Sequence, residues 1–173
     1  MNLLERIKYY LFNLSILWNA NDFYMGSSLA SFLAVPIVII LRLVHSFSID
    51  LFYITLFCIK ITIFTATFIG LKITPVERFK SIILPKVFGF MIAMMFIRGR
   101  FLNYMLVGVL FNTIHTLLYK QFYAKGIVSS IIRDNLDFNA FWEKYFILFS
   151  NAIAAGLATN IIFNVFRFLS LIF

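Results

Sequence analysis

The chain has 173 residues, of which 62% are hydrophobic, 19% aromatic and 13% charged, and its mean hydropathy is +0.96. A soluble domain carries roughly 25% charged residues, so this composition excludes an ordinary soluble protein and indicates an integral membrane protein. The net charge of +8 does not indicate nucleic-acid binding, because the basic residues stand at the ends of apolar runs, where lipid head groups attract them.

The first 20 residues predict an amphipathic helix that lies on the membrane surface. Apolar side chains at positions 3, 4, 7, 11, 14 and 18 recur at helical spacing, while Glu5, Lys8 and Asn13 occupy other faces. A cleaved signal peptide is the alternative. It is disfavoured because Asn13 and Ser15 break the apolar part and no cleavage site of small residues follows.

Five apolar runs follow, and a transmembrane helix needs about 20 residues. Four runs qualify, and the third is short, with Pro85 and Lys86 near a start that we expect to be bent. The runs cover residues 23–41, 51–71, 81–97, 101–119 and 145–166. The chain is therefore predicted to be an all-α, multi-pass helical membrane protein with about five transmembrane helices. In this interpretation the amphipathic helix, residues 1–20, precedes a single membrane domain, residues 21–173.

The distribution of basic residues predicts the orientation. With five spans, nine lysines and arginines fall on the side of the N-terminus and four on the other. Because basic loops stay in the cytoplasm, the N-terminus is predicted to be cytoplasmic and the C-terminus extracytoplasmic, in a bacterial inner membrane.

The apolar runs contain polar residues but no carboxylate in their interiors; Asp50 stands at the border of the second. The predicted topology brings several polar residues to one depth near the cytoplasmic face. They are Ser27, Ser28, Lys86, His115, Ser150 and Asn151.

Each of these polar residues also has a purely structural interpretation. Lys86 can extend its amine to the head groups, and His115 can donate a hydrogen bond between helices. Ser150 and Asn151 can join helices, as can two further asparagines, Asn160 and Asn164. Lys60, in the middle of the second run, is expected to pair with a carbonyl or another polar side chain.

Four segments resemble, in order and spacing over roughly residues 24–165, the phosphatidylglycerophosphatase A family of small multi-pass lipid phosphatases. GSSLAS at 26–31, which leads on to AVP at 34–36, is similar to the glycine- and threonine-bearing opening of the family. SIILPKVFG at 81–89 resembles the family element SIVWDEFxG. GVLFNTIH at 108–115 resembles GxxxFRxxD with one residue fewer, and SNAIAA at 150–155 resembles DDxxAG.

The acidic residues of the family are replaced at every matched position. Pro85 and Lys86 stand for its Asp-Glu pair, His115 for its next aspartate, and Ser150 and Asn151 for its Asp-Asp pair. The resemblance implies that those acids bind Mg²⁺ or act as a base. Mg²⁺ requires hard oxygen ligands, which Lys86 cannot supply. No catalytic residue, metal or cofactor is therefore expected, and Mg²⁺ would be the cofactor only if the family activity survives.

The favoured hypothesis is a catalytically silent relative, a pseudoenzyme, that binds an anionic phospholipid head group through Lys86, His115, Asn151 and Ser28. Its partners would be membrane lipids, with protein partners left open and nucleic acid excluded. One alternative is an active phosphatidylglycerophosphate phosphatase of glycerophospholipid metabolism, with another set of metal ligands or with His115 as base or nucleophile. The other is an unrelated subunit of a transporter or membrane complex, in which Lys60 would be the functional charge.

Overall fold

A computed structural model of the chain describes residues 3–15, 33–73, 83–95, 97, 101–123, 130 and 140–172. Within these residues the chain is helical and contains no strand, which confirms the all-α prediction. The helices are α1 (Leu3–Ser15), α2 (Ala34–Phe47), α3 (Ile49–Ile73), α4 (Leu84–Met94), α5 (Phe101–Leu118) and α6 (Ala140–Ile172). A π-helical turn, Tyr119–Tyr123, continues α5.

Two of these helices are long and apolar enough to cross a membrane: α3, and α6 over Phe141–Ser170. At a rise of 1.5 Å per residue, α3 measures about 37 Å and α6 about 50 Å, and both exceed the roughly 30 Å of a hydrocarbon layer. Two further apolar helices, α2 and α4, are shorter than a span. The number of five transmembrane helices therefore stays a prediction.

By its internal contacts the chain divides into two compact units, Met1–Phe88 and Gly89–Phe173. The boundary falls inside α4. The predicted separation of residues 1–20 from a single domain over residues 21–173 stays a prediction.

In the first unit, α1 and α2 both pack on α3. The buried residues of α2 are Ala34, Val38 and Leu41, which recur at intervals of three and four and so form one helical face. The first residues of α4 add to this unit through Phe88, whose ring meets that of Phe64 edge to face, with centroids 5.6 Å apart. The second run of the sequence thus forms the central helix of its unit.

A single residue, Ser48, connects α2 to α3. Its backbone is extended, and its N–H donates to the Val44 carbonyl, 2.9 Å away, at the end of α2. Its hydroxyl accepts a hydrogen bond from the Leu51 N–H at 3.3 Å, and its carbonyl accepts one from the Phe52 N–H at 3.1 Å. Ser48 therefore caps the end of one helix and the start of the next.

The N-terminal helix α1 has the predicted position in the sequence, although only residues 3–15 are described. Leu3, Leu4 and Ile7 are exposed, as expected of apolar side chains that meet lipid at a membrane surface. Asn13 is buried instead, so a polar side chain of α1 lies on the side that packs within the unit.

In the second unit, α5 packs on α6, and the part of α4 from Gly89 onwards packs on both. Its core includes Phe90, Met94, Val107 and Phe111, all fully buried. The start of α6 carries a group of neighbouring rings: Phe141, Trp142, Tyr145, Phe146 and Phe149. Aromatic residues are enriched where membrane helices leave the hydrocarbon layer, so this group fits a membrane border near residue 145.

Candidate functional site

The candidate site of the second unit is built on a close crossing of α4 and α6. A Cβ atom added to Gly89 would collide with the Ala152 carbonyl, and one added to Gly156 would collide with the Gly89 carbonyl. Only glycine allows the two backbones to approach so closely. The face of α6 that makes this crossing consists of small buried residues: Ala152, Ala155, Gly156 and Thr159.

An asparagine further along α6 joins the same two helices. The Asn160 side-chain NH₂ donates to the Ala93 carbonyl at 3.0 Å and to the Ile92 carbonyl at 3.4 Å, in the last turn of α4. The carbonyls of a last helical turn often lack a partner within their own helix, and Asn160 supplies a donor to two of them, although the Ile92 carbonyl also accepts a hydrogen bond from the Met95 N–H at 3.2 Å. Asn164 supports it, because its NH₂ donates to the Asn160 backbone and side-chain oxygens at 2.9 and 3.0 Å. The interpretation of Asn160 as a residue that joins helices is confirmed, whereas the hydrogen bonds of Asn164 stay within α6.

Two aromatic rings stand between this crossing and His115. Phe90 of α4 stacks on Phe111 of α5, with ring centroids 5.4 Å apart and planes 21° from parallel. The Phe111 ring then contacts the His115 ring, one helical turn further along α5, at 5.7 Å. Since Phe90 and Phe111 are fully buried, they leave the imidazole little freedom on that side.

His115 and Asn151 form the polar contact at the centre of the site. The side-chain nitrogen of Asn151 lies 2.9 Å from His115 Nε2, so α5 and α6 are joined by residues that are 36 positions apart in the sequence. Asn151 is only 2% exposed, and His115 is half-buried. The pair therefore has one side within the packed unit and one imidazole edge that remains accessible.

Half of the Asn151 amide has no partner. Its Oδ1 atom is buried and receives no hydrogen bond. If the amide is rotated by 180°, Oδ1 accepts a hydrogen bond from a protonated Nε2 and the NH₂ group takes the place of the unpaired oxygen. In the arrangement of the structure, the buried Oδ1 lacks a partner, which costs about 1–3 kcal/mol. A ligand that reached this buried atom and brought the missing partner would recover that free energy.

The other predicted site residues have different surroundings. The Ser150 hydroxyl, next to Asn151, donates to the Ile147 carbonyl of its own helix at 3.2 Å. Pro85 is fully buried in the first turn of α4, where its missing N–H costs nothing. Lys86 follows it and is half-buried in the first unit. Ser27 and Ser28 lie outside the described residues.

From Ile83 onwards, where the structure describes this segment, the expected bend at the start of α4 is not seen. The Ile83 carbonyl accepts hydrogen bonds from the N–H groups of Lys86 at 2.9 Å and Val87 at 3.1 Å, which is a regular first helical turn. Proline is well tolerated at this place because its backbone angle already suits a helix.

The residues at the matched positions do not fit Mg²⁺. Pro85 has no ligating side chain, Lys86 is a cation, and His115, Ser150 and Asn151 bring no carboxylate to the site. Within the described part of the chain, no group of three or more His, Cys, Asp or Glu side chains is placed to hold a metal ion. The arrangement offers hydrogen bonds and a histidine rather than a divalent metal centre.

Sequence reasoning missed Phe90 and Phe111, the rings that hold the histidine in place. The available signal was the spacing of Phe111 and His115, which are four residues apart and therefore on one helical face. The partner ring Phe90 had no such signal, because its contact depends on how two helices pack.

Comparison of the chain with known protein families, with characterised proteins and with solved structures gave no match. The function must therefore be argued from the residues and their geometry.

Proposed function

We propose that this chain is an integral membrane protein that binds an anionic phospholipid head group without hydrolysing it, on a frame similar to phosphatidylglycerophosphatase A. The observation that carries the proposal is the contact between His115 and Asn151, in which the buried Oδ1 atom of the amide has no hydrogen-bond partner.

The identity of the two residues supports the proposal. His115 stands where the resemblance places one aspartate of the family site, and Asn151 where it places another. Their side chains are 2.9 Å apart although 36 positions separate them along the chain. A contact between these positions is what a family-like site requires, and it is independent of the sequence patterns that suggested the resemblance.

The chemistry of the pair suits a phospholipid head group. An Asn151 NH₂ that is free of the imidazole can donate to a phosphate oxygen, whereas a free Oδ1 can accept from a head-group hydroxyl. Asn151 is six residues, or about 9 Å, beyond the predicted membrane border at residue 145, a depth that a head group reaches with little distortion of the bilayer.

The sequence resemblance assigns the positive charge of the proposed head-group site to Lys86. A lysine ammonium binds phosphate as a point charge and needs no metal ion for this. With Lys86 in place of an acidic residue of the family, the charge of the phosphate is balanced by the protein itself, but no group is present to polarise the phosphorus through a metal. Binding would thus persist where hydrolysis is lost.

A lipid-binding experiment tests the proposal. The chain, reconstituted in phosphatidylcholine nanodiscs, is titrated with fluorescent phosphatidylglycerol in the presence of a chelator. We expect saturable binding that chelator does not change and that Asn151→Ala and Lys86→Ala each weaken about tenfold. Asn164→Ala is the matched control, since it removes an amide of the same helix whose hydrogen bonds stay within that helix.

A phosphate-release assay on phosphatidylglycerophosphate separates binding from catalysis. The proposal expects no release with or without Mg²⁺. Mg²⁺-dependent release that Lys86→Ala leaves intact would overturn both the binding model and the silent-relative interpretation. Phosphate release that needs no Mg²⁺ and that His115→Ala abolishes would instead establish the alternative of a rebuilt active site.

The proposed location is a bacterial inner membrane with a cytoplasmic N-terminus. The two long apolar helices and the many large apolar side chains exposed along α3 and α6 support a membrane location, whereas the orientation rests on the distribution of basic residues in the sequence. A reporter fused after residue 173 is expected to be extracytoplasmic, and one inserted between residues 120 and 144 cytoplasmic. The reverse result would contradict the orientation.

A further inference from the structure

The N-terminal half of α3 (residues 49–62) is a helix surface without a buried residue. The buried residues of α3 begin at Ile63 and continue with Ala66, Thr67, Gly70 and Leu71, all in its C-terminal half. Before Ile63, large apolar side chains such as Ile54 and Phe57 are more than half exposed, at 61% and 63%. This half of the helix is thus long and apolar, and it is covered only in part, by contacts such as that of the Phe52 ring with the His45 ring of α2 at 5.1 Å.

Lys60 lies on this surface near the middle of α3. Its side chain is exposed and forms no hydrogen bond or ion pair with any residue that the structure describes. An open cavity of about 430 Å³ lies against the same surface, lined by Tyr53, Ile54, Leu56, Phe57 and Lys60. The lining is apolar or aromatic except for the Tyr53 hydroxyl and the lysine amine.

The depth of Lys60 makes its exposure costly in a membrane. It is eleven residues from the start of α3 and thirteen from its end, which is about 16 and 20 Å along the axis. A lysine side chain reaches only about 6 Å towards the head groups, so it cannot bring its amine to water from either end. Charged side chains at such a depth face a protein or a water-filled cavity and pair with another group.

We propose that the N-terminal half of α3 docks a transmembrane helix of a second, different protein, and that this helix places an Asp or Glu side chain beside Lys60. The proposal rests on the membrane location given under "Proposed function" but not on lipid binding at His115 and Asn151. Pairing with a carboxylate balances the charge of Lys60, and the apolar surface around it supplies the contact area that an isolated ion pair lacks.

A second copy of the chain does not satisfy Lys60. All seven carboxylates lie outside the predicted spans, and the one at their border, Asp50, is ten residues from Lys60 along α3. Two copies inserted in the same orientation would therefore keep these charges about 15 Å apart. A lipid head group is the other candidate partner of the amine, and the crosslinking experiment below distinguishes it from a protein. The carboxylate must come from the interior of another protein's span.

Designed peptides test the charge pairing. A labelled Leu/Ala transmembrane helix of 23 residues with a central Glu is titrated, by energy transfer, against the labelled chain in phosphatidylcholine vesicles. We expect binding at least tenfold tighter to the unaltered chain than to Lys60→Met, retained binding to Lys60→Arg, and no such difference for a peptide with Gln in place of Glu. Lys72→Met is the control, since it removes a lysine of the same helix near its end.

Equal binding of the Glu peptide to the unaltered chain and to Lys60→Met would overturn the proposal, as would the absence of binding to both. Carbonate extraction of the same vesicles distinguishes a wrong membrane location from a wrong docking proposal. Release of the chain by carbonate would contradict the membrane location itself, whereas a retained chain without Glu-selective binding would contradict only the docking.

Crosslinking in cells tests whether a helix of another protein binds the N-terminal half of α3. Phe57, one turn before Lys60 on the same surface, is replaced by photo-reactive benzoyl-phenylalanine. The expected adduct joins this position to a peptide of another protein that carries Asp or Glu within an apolar stretch, and it disappears in Lys60→Met. Adducts only with lipid, only with a second copy, or unchanged in Lys60→Met would each contradict the proposal.

Discussion

The crossing of α4 and α6 in the second unit and the N-terminal half of α3 in the first are similarly apolar but differ in packing. At the crossing, small residues bring the backbones together, and Asn160 donates across the contact to the carbonyls of Ile92 and Ala93. Along residues 49–62 of α3 the side chains are larger, none is buried, and Lys60 has no partner among the described residues.

The difference shows that hydropathy alone does not decide which membrane helices pack within a chain. Two apolar helices gain little from leaving lipid for each other, because lipid tails are as apolar as leucine. Close approach of small residues and hydrogen bonds between helices provide the preference. The crossing has both features. The N-terminal half of α3 has neither, and it carries the positive charge of Lys60, which needs a polar or acidic partner from another molecule.

The largest effect is expected from closing the space at the crossing. In Gly156→Leu the new side chain meets the Gly89 carbonyl and the Ile92 side chain, so one helix must move. We expect a loss of about 3 kcal/mol in the free energy of unfolding, at the upper end of overpacking costs. Unfolding of the purified chain by titration with SDS in mixed micelles measures it.

The matched control is Ala154→Leu, which adds a similar volume two residues earlier on the exposed side of α6. It is expected to change the free energy of unfolding by less than about 0.5 kcal/mol, as is usual for surface positions. Equal losses in the two variants would contradict the close crossing.

Removal of the charge from α3 is expected to have the next largest effect, with the opposite sign. A lysine at the centre of a helix disfavours membrane insertion by about 2.5–3.5 kcal/mol. Lys60→Met should therefore favour insertion of the isolated α3 segment by about 2.5 kcal/mol in a glycosylation-based insertion assay. Lys72→Met, at the helix end, should change it far less. Similar values for both would show that Lys60 is not at the membrane centre.

A smaller effect is expected from the hydrogen bonds between α4 and α6. Asn160→Ala leaves the Ala93 and Ile92 carbonyls without the amide, and we expect a loss of about 1–2 kcal/mol in the free energy of unfolding. The SDS titration again measures it. Asn164→Ala removes hydrogen bonds within α6 only and should cost less than half as much. The opposite order would place the stabilisation within α6 rather than between the helices.

The smallest effect is expected at the start of α3. Ser48→Ala removes the hydroxyl that accepts the hydrogen bond from the Leu51 N–H, at an exposed position. Loss of such a cap costs about 0.5–1 kcal/mol, which a thermal unfolding curve resolves as a small shift to lower temperature. An unchanged curve would show that the Ser48 backbone alone holds the connection.

The sequence predicted the helical class and the approximate positions of the helices, because hydropathy and helical spacing are local properties. Its run at residues 51–71 lies within α3, and its run at 145–166 lies within the longer α6. It did not predict that the buried residues of the second run lie only from Ile63 onwards, since burial depends on which neighbouring helices contact each turn.

The candidate site was predictable only in part. The small-residue face of α6 and the joining role of Asn160 follow from residue type and spacing. The contact of His115 with Asn151 was suggested by a family resemblance, but its geometry was not, and neither was the unpaired amide atom. Distances between helices depend on crossing angles, which hydropathy does not encode.

The single-residue connection at Ser48 has a consequence for biogenesis. Since α2 ends at Phe47 and α3 begins at Ile49, no loop is available to let one helix enter the bilayer while the other waits in water. If α3 spans the membrane, the two helices must leave the translocation machinery as one hairpin, with the amine of Lys60 carried in by the combined apolar surface of both. Lengthening this corner with a flexible insert would allow stepwise entry and would expose the lysine to the machinery on its own.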